Sequence, residues 1–322
     1  MITLWRKWGQ IVLGGGLRSS YSIRTLSNLL EEEDERLSTF IPESEPLSEE
    51  CADKLQQFIN KSSRIFVLTG AGISTESGIP DYRSKGVGLY DRVNHRPMQH
   101  AEFISNKSGR QKYWARNYMG WQKFREHRPN VNHFLLADWE KQEKVYWTVT
   151  QNVDALHTAA GSQNLTELHG CLNRVLCLDC GEVSSRYELQ TQLDELNKHW
   201  SVKSFGMGPD ADMFLQDEDV RTFNIADCRS CGGRLKPDVV FFGDSVGRIK
   251  VERSFSILSS CDSMLVLGSS LFVWSGYRFI VRALELGIPT ACVNIGPTRA
   301  DDKLDLKINA KCSDILRRMA VS

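Results

Sequence analysis

Four of the nine cysteines stand in two matched pairs, Cys177-Leu-Asp-Cys180-Gly and Cys228-Arg-Ser-Cys231-Gly-Gly. Cys-x-x-Cys is the spacing at which a tight turn presents two thiolates to one tetrahedral zinc ion. The glycine after each pair permits the turn and lets backbone N–H groups point at sulfur. Four protein ligands close the coordination sphere, so the predicted site is structural and leaves no open position for catalysis. A redox pair or a disulfide is the competing reading, against which stand the two matched pairs and a reducing compartment. Cys51, Cys171, Cys261 and Cys292 read as buried thiols.

A second constellation carries nucleotide chemistry. The segment Gly70-Ala-Gly-Ile-Ser-Thr-Glu-Ser-Gly-Ile-Pro-Asp-Tyr-Arg83 follows a short apolar run. Glycines at 70 and 72 let a backbone approach a pyrophosphate closely, although the third glycine of the common dinucleotide fingerprint is displaced to Gly78. Asp81, Tyr82 and Arg83 then place an acid and a guanidinium beside the phosphates, where Arg binds phosphate or holds the loop shut. Thr150-Gln-Asn-Val-Asp154 closes another strand with amides and a carboxylate, able to bond a carboxamide or ribose hydroxyls or simply to cap a turn. His169, in Leu168-His-Gly170, is more often structural when taken alone; in the same crevice as a nucleotide loop it is the best general base available.

These groups need a scaffold that brings loops together. Apolar runs at Arg64–Thr69, Val145–Thr150, Asn164–Leu168, Met264–Leu267 and Pro289–Val293 each lead into a polar or glycine-bearing loop. Buried parallel strands have this look, and in such sheets ligands bind at the carboxyl ends of the strands. The prediction is a Rossmann-like α/β parallel sheet. Ser48 precedes an amphipathic run with Leu55, Phe58 and Ile59 that reads as a first helix. Residues 84–140 (helical, aromatic) and 171–236 (the cysteine pairs, with a helical piece near Tyr187–Trp200) interrupt the rhythm. They are expected to pack together as a smaller inserted zinc-binding and helical domain. Gly206-Met-Gly-Pro209 suggests a mobile loop.

Composition narrows the function classes. The 322 residues hold 40 Lys plus Arg against 40 Asp plus Glu, which gives no electrostatic argument for nucleic acid as a partner. No window reaches the apolar length of a membrane span. Residues 1–30 contain Arg6, Lys7, Arg18 and Arg24 but no acid, with serines and interleaved apolar residues. That is the composition of a mitochondrial transit peptide. Residues 31–46, opening with Glu31-Glu-Glu-Asp-Glu35, read as an acidic linker, 47–316 as the catalytic domain and 317–322 as a tail.

Taken in order, Gly70-Ala-Gly-Ile-Ser74, Gly78-Ile-Pro-Asp-Tyr-Arg83, Thr150-Gln-Asn-Val-Asp154, Leu168-His-Gly170, the Cys pairs, Val239-Val-Phe-Phe-Gly243 and Gly268-Ser-Ser-Leu271 resemble the sirtuin family, its class II branch especially. The resemblance spans roughly residues 48–316. It implies NAD as co-substrate and one structural zinc. Gly70, Ala71, Gly72 and Ser74, with Asp81, Tyr82 and Arg83, would hold the pyrophosphate and its loop. Gln151, Asn152, Val153 and Asp154 would face the nicotinamide end, Asn152 and Asp154 as catalytic groups. Gly268, Ser269, Ser270, Asn294, Ile295, Gly296 and Cys312 would hold the adenosine. The resemblance further implies that the acyl oxygen of a modified lysine displaces nicotinamide, and that His169 then activates a ribose hydroxyl as general base. The substrate chain would add as a strand near Val239, Val240 and Phe242.

The family also includes protein ADP-ribosylation, and its mitochondrial branch is associated with lipoyl, biotinyl and branched acidic acyl groups more than with acetyl. Partners implied are acyl-lysine-bearing mitochondrial proteins such as metabolic enzymes. A related sirtuin binds acidic acyl groups with Tyr-x-x-Arg, which Tyr113 and Arg116 match; a surface Arg beside core aromatics is the equal alternative. Asp244 and Tyr82 stand where the family often has Glu and Phe. Two other classes share parts of the pattern: an NAD-dependent oxidoreductase, and a non-catalytic NAD sensor or scaffold.

Overall fold

The structure, a computed structural model, describes residues 39–92, 96–204 and 206–321. The targeting segment 1–30 and residues 31–38 of the acidic run lie outside the described residues. The first strands and helices are α1 (Glu49–Lys61), β1 (Ile65–Thr69), α2 (Leu89–Arg92), α3 (His100–Ser105), α4 (Lys107–Phe124), α5 (Val131–Lys141), β2 (Val145–Thr150), α6 (Leu156–Ala160) and β3 (Leu165–Glu167). There follow β4 (Gly170–Cys177), β5 (Val183–Ser185), α7 (Arg186–Leu196), α8 (Asp217–Val220) and β6 (Leu235–Val239). The chain ends with α9 (Arg248–Leu258), β7 (Ser263–Leu267), α10 (Trp274–Glu285), β8 (Thr290–Val293), β9 (Leu306–Ile308) and α11 (Cys312–Leu316).

Helix α1 forms where the sequence places a cap before an amphipathic run. The Ser48 side chain accepts from the Cys51 N–H, and Glu49 and Glu50 favour the positive end of the helix. Its buried stripe, Ala52, Leu55 and Ile59, recurs at helical spacing.

Six strands form one sheet in the order β3-β2-β1-β7-β8-β9, every pair parallel. All five residues of β1 are buried because both faces are covered. Phe66 and Leu68 pack with Val266, Phe279 and Ile280 on one side. Ile65 and Val67 pack with Leu55, Ile59, Leu136 and Ile315 on the other. The chain leaves β1 toward β2 and β3, then returns to lay β7 on the opposite edge of β1. The strand order therefore reverses between β1 and β7, and their carboxyl ends open a crevice at that point.

A three-stranded antiparallel sheet, β5-β4-β6, was not visible in the sequence. Strand β4 alternates poorly (Gly-Cys-Leu-Asn-Arg-Val-Leu-Cys), and β6 carries Pro237, a residue that argues against an interior strand. This sheet shares a core with the helical stretch: Phe103, Tyr113, Trp114 and Phe124 pack in one cluster with Leu172, Val175, Leu189, Leu193 and Leu235. Gly206-Met-Gly-Pro209 enters a small hairpin closed by Gly208 N–H to Asp212 O and Phe214 N–H to Gly206 O, both 2.9 Å. Among the described residues no helix is long and apolar enough to cross a membrane.

Candidate active site

The loop after β1 makes two short 3₁₀ turns, Ala71–Ile73 and Thr75–Ser77, before Gly78 takes a left-handed conformation (φ 82°). Backbone bonds stitch it to the loop after β7: Gly70 N–H to Leu267 O at 3.1 Å and Gly72 N–H to Gly268 O at 2.9 Å. Glycine is required here by contact. A Cβ on Gly72 would come 2.9 Å from Gly268 O, and one on Gly268, itself at φ +60°, 2.3 Å from Ile73 N. The two loops thus form one bare-backbone floor. Beyond it Asp81 is buried and accepts from the Arg83 N–H at 3.0 Å, the Ser84 N–H at 2.8 Å and the Ser84 hydroxyl, which fixes the turn. Tyr82 meets Phe242 edge-on at 5.7 Å. The Arg83 guanidinium lies 4.7 Å from the ring centre of Phe272.

The β2 loop is tied to this floor. Gln151 donates to Thr69 O at 3.2 Å and to Ser269 Oγ at 2.9 Å. Asn152 donates to Gly70 O and to Ser74 Oγ, both at 3.1 Å. Ser74 in turn donates to Asp154 at 2.8 Å, and the other Asp154 oxygen accepts from the Leu156 N–H at 2.9 Å. Burial pushes the Asp154 carboxyl up against those two bonds, which pull it down. Behind the loop lies a buried polar layer without a sequence signal. His157 faces Thr69 Oγ1 at 3.0 Å, His133 is held by Asn130, and Glu76 accepts from Asn132 at 2.9 Å with Lys311 at 3.6 Å.

His169 ends the β3 edge of the crevice. Its Nδ1 lies 2.7 Å from Gln151 O and its Nε2 2.8 Å from Ser275 Oγ. A carbonyl can only accept, so Nδ1 carries the proton and Nε2 keeps its lone pair. Burial, together with Lys250 and Arg278 nearby, pushes the imidazole down to about 4. At neutral pH the imidazole is therefore in its basic form, with the Nε2 lone pair accepting from the Ser275 hydroxyl at the crevice wall.

One crevice of about 1880 Å³ gathers most of the predicted residues. Gly70, Ala71, Gly72, Ser74, Asp81, Tyr82, Arg83, Gln151, Asn152, Val153, Asp154, His169, Gly268, Ser269, Ser270, Asn294, Ile295 and Gly296 line it, as do Val239, Val240 and Phe242. That exceeds a drug-sized pocket and suits a dinucleotide with an acyl-lysine beside it. Strand β6 stops at Val239, but Val240 N–H still bonds His169 O at 2.8 Å. The general-base candidate and the strand on which a peptide would add are therefore joined directly.

Three predicted residues are not on the lining. Cys312 is buried under β8, its Sγ 3.8 Å from Val293 O; Asn309, three residues earlier, reaches the crevice instead. Tyr113 packs edge-on to Phe241 at 5.1 Å, one ring behind that lining residue. Arg116 is buried and faces Asp212 at 3.9 Å. The Tyr113 hydroxyl and Arg116 Nε find no hydrogen-bond partner among the described residues. Sequence reading missed Ser275, Arg278, Thr298 and Arg299, which line the crevice from the start of α10 and the β8 loop, and Ile41, Pro42 and Glu43 from the stretch read as linker. An apolar Ile-Pro step after the acidic run was the one available signal.

The four paired cysteines converge as well. Their sulfurs lie within 4.8 Å of one another, with Cys177–Cys231 at 3.5 Å and Cys180–Cys228 at 3.9 Å. Sulfurs of a tetrahedral zinc site sit about 3.8 Å apart, so the geometry fits. Gly181 (φ 78°) and Gly232 (φ 71°) make the left-handed step after each pair. The cluster would clamp the end of β4 to the chain before β6.

A sequence profile described as the Sir2 family matches residues 70–275. The chain is 55% identical over 280 residues to the human "NAD-dependent protein lipoamidase sirtuin-4, mitochondrial", covering 87% of this chain and 89% of that protein. It is 47% identical to the Drosophila melanogaster "NAD-dependent protein deacylase Sirt4", covering 87% and 90%. Its fold is similar to a solved structure titled "Sir2-p53 peptide-NAD+", with TM-score 0.65, 28% identity and coverage of 82% and 95%. On this evidence the chain belongs to the Sir2 family, the sirtuins.

Proposed function

We propose that this protein is an NAD-dependent protein-lysine deacylase of the mitochondrial matrix, with lipoyl, biotinyl and branched acidic acyl groups preferred over acetyl and metabolic enzymes as substrates. The observation that carries it is the meeting of three parts in one crevice: the bare-glycine floor at the strand-order switch, His169 with its Nε2 unprotonated, and the Val239–Val240 backbone bonded to His169. The donor set fits NAD. Gly70–Gly72 and Arg83 would hold the pyrophosphate, Ser269, Ser270 and Asn294 the adenosine, and Asn152 and Asp154 the nicotinamide end. Bound there, NAD supplies an electrophilic ribose carbon and, beside it, ribose hydroxyls.

The chain's own residues do the rest. Val239 and Val240 seat the substrate backbone and aim the modified lysine into the crevice. Asn152 and Asp154, locked through Ser74, orient the carboxamide and its ribose. His169 takes a proton at Nε2. The Tyr113 hydroxyl, behind Phe241, and Arg116 Nε are the buried polar atoms left for an acidic acyl chain to reach at its far end. Because the ribose carbon is open to any nucleophile seated there, we extend the proposal to ADP-ribose transfer onto a protein side chain as a minor activity.

The test is nicotinamide release from NAD with a panel of acyl-lysine peptides, run beside His169→Tyr and Arg116→Met. Peptide-dependent release that the His169 variant abolishes is expected, with Arg116→Met weakening acidic acyl substrates selectively. NAD binding without release on any peptide would contradict the deacylase reading. Equal effects of Arg116→Met on acidic and neutral acyl groups would contradict the acyl-pocket reading alone.

A further inference from the structure

Helix α10 begins in the crevice wall with Val273 in extended backbone as its cap, so Trp274, Ser275 and Gly276 form its first turn. Ser275 bonds one ring nitrogen of His169 directly, and Gln151, which holds the other, lies over Gly276 of the same turn. Ser275 Oγ lies 2.8 Å from Nε2. The Gln151 side chain lies over Gly276, where a Cβ would come 2.4 Å from its Oε1. The Gln151 backbone carbonyl in turn accepts from Nδ1 at 2.7 Å. The imidazole is thus gripped at both nitrogens by one helical turn and the residue packed on it. Since Nδ1 must be the donor to Gln151, the hydrogen bond at Nε2 can run only from the Ser275 hydroxyl to the ring.

We propose that Ser275 is a positioning residue for the general base: its hydroxyl holds the Nε2 lone pair in line with the crevice until a ribose hydroxyl takes its place. The bond is of the neutral kind, weak enough to exchange. When Nε2 takes the ribose proton, the Ser275 hydroxyl turns about its Cβ–Oγ bond and its oxygen accepts from the new imidazolium N–H. No bond to Ser275 is made or broken, and the proton count is that of His169 alone. Burial, with Lys250 and Arg278 nearby, disfavours the protonated ring, so it returns its proton readily.

The inference rests on His169 acting as the base, and the experiment separates the two. Two activities are compared in wild type, Ser275→Ala, Ser275→Thr, His169→Ala and the double variant. One is exchange of labelled nicotinamide into NAD with an acyl peptide, which precedes the proton transfer; the other is complete deacylation. The ¹⁵N resonance of His169 Nε2, read in histidine-labelled protein without NAD, reports the hydrogen bond independently of activity. Ser275→Ala is expected to lower deacylation roughly tenfold, the worth of one hydrogen bond, with exchange retained. The Nε2 resonance should move toward that of an unbonded lone pair. Ser275→Thr should restore both, and the double variant should be no worse than His169→Ala. Equal loss of exchange and deacylation in Ser275→Ala, or no change in deacylation or in the resonance, would overturn the Ser275 role. Deacylation surviving in His169→Ala would overturn the base reading and this inference with it.

Discussion

Acid should weaken this protein through a histidine that never touches substrate. His157 is 1% exposed beneath the glycine loop, its Nε2 3.0 Å from Thr69 Oγ1 and its ring 4.8 Å from that of His133. Burial pushes it from 6.5 down to about 4. In the folded chain it stays neutral, while in the unfolded chain it takes a proton as pH falls through about 6.5. Its contribution is therefore complete above pH 6.5 and is lost between there and pH 4. The full span is worth about 3 kcal/mol, and the loss between pH 8 and pH 5 about 2 kcal/mol. His157→Gln keeps an amide for Thr69 and cannot titrate. Urea unfolding of both proteins from pH 8 to pH 5 gives the stability difference at each pH, and the acid response of the cysteine cluster cancels because both share it. The variant should be the less stable at pH 8, with the gap narrowing by about 2 kcal/mol at pH 5. A gap that stays constant across that window would refute the reasoning.

Other outcomes follow from the same geometry. Gly268→Ala combines φ +60° with a Cβ 2.3 Å from Ile73 N, and should cost at least ~2 kcal/mol and abolish NAD binding by calorimetry. One zinc per chain should be found by elemental analysis. Its removal by a chelator, or Cys228→Ser, should release the β5-β4-β6 sheet, seen as new proteolytic cleavage near β4 while the parallel sheet stays protected.

The sequence carried the parallel sheet well because β1, β2, β7 and β8 are apolar runs of four to six residues that end in turn chemistry, shorter than a typical helix. The zinc ligands were legible from spacing alone. The antiparallel sheet was hidden because β4 does not alternate, β6 carries a proline, and these two strands pair across a gap of more than fifty residues that the cysteine cluster closes. Site residues on strand ends were found because glycine and amide positions have local reasons. Ser275 and His157 were not, because their roles exist only once α10 and β1 are packed; a lone serine or histidine announces nothing. Cys312 and Arg116 were placed by motif, and three-dimensional packing buries both away from the crevice lining.

The central claim is that one crevice consumes NAD to strip acyl groups from lysine. Mass spectrometry of a single reaction with an acyl-lysine peptide tests it most directly. Nicotinamide, free lysine peptide and acyl-ADP-ribose should appear in equal amounts, with no reduced nicotinamide cofactor formed. Nicotinamide absent while NAD remains bound, or reduced cofactor accumulating instead, would contradict it.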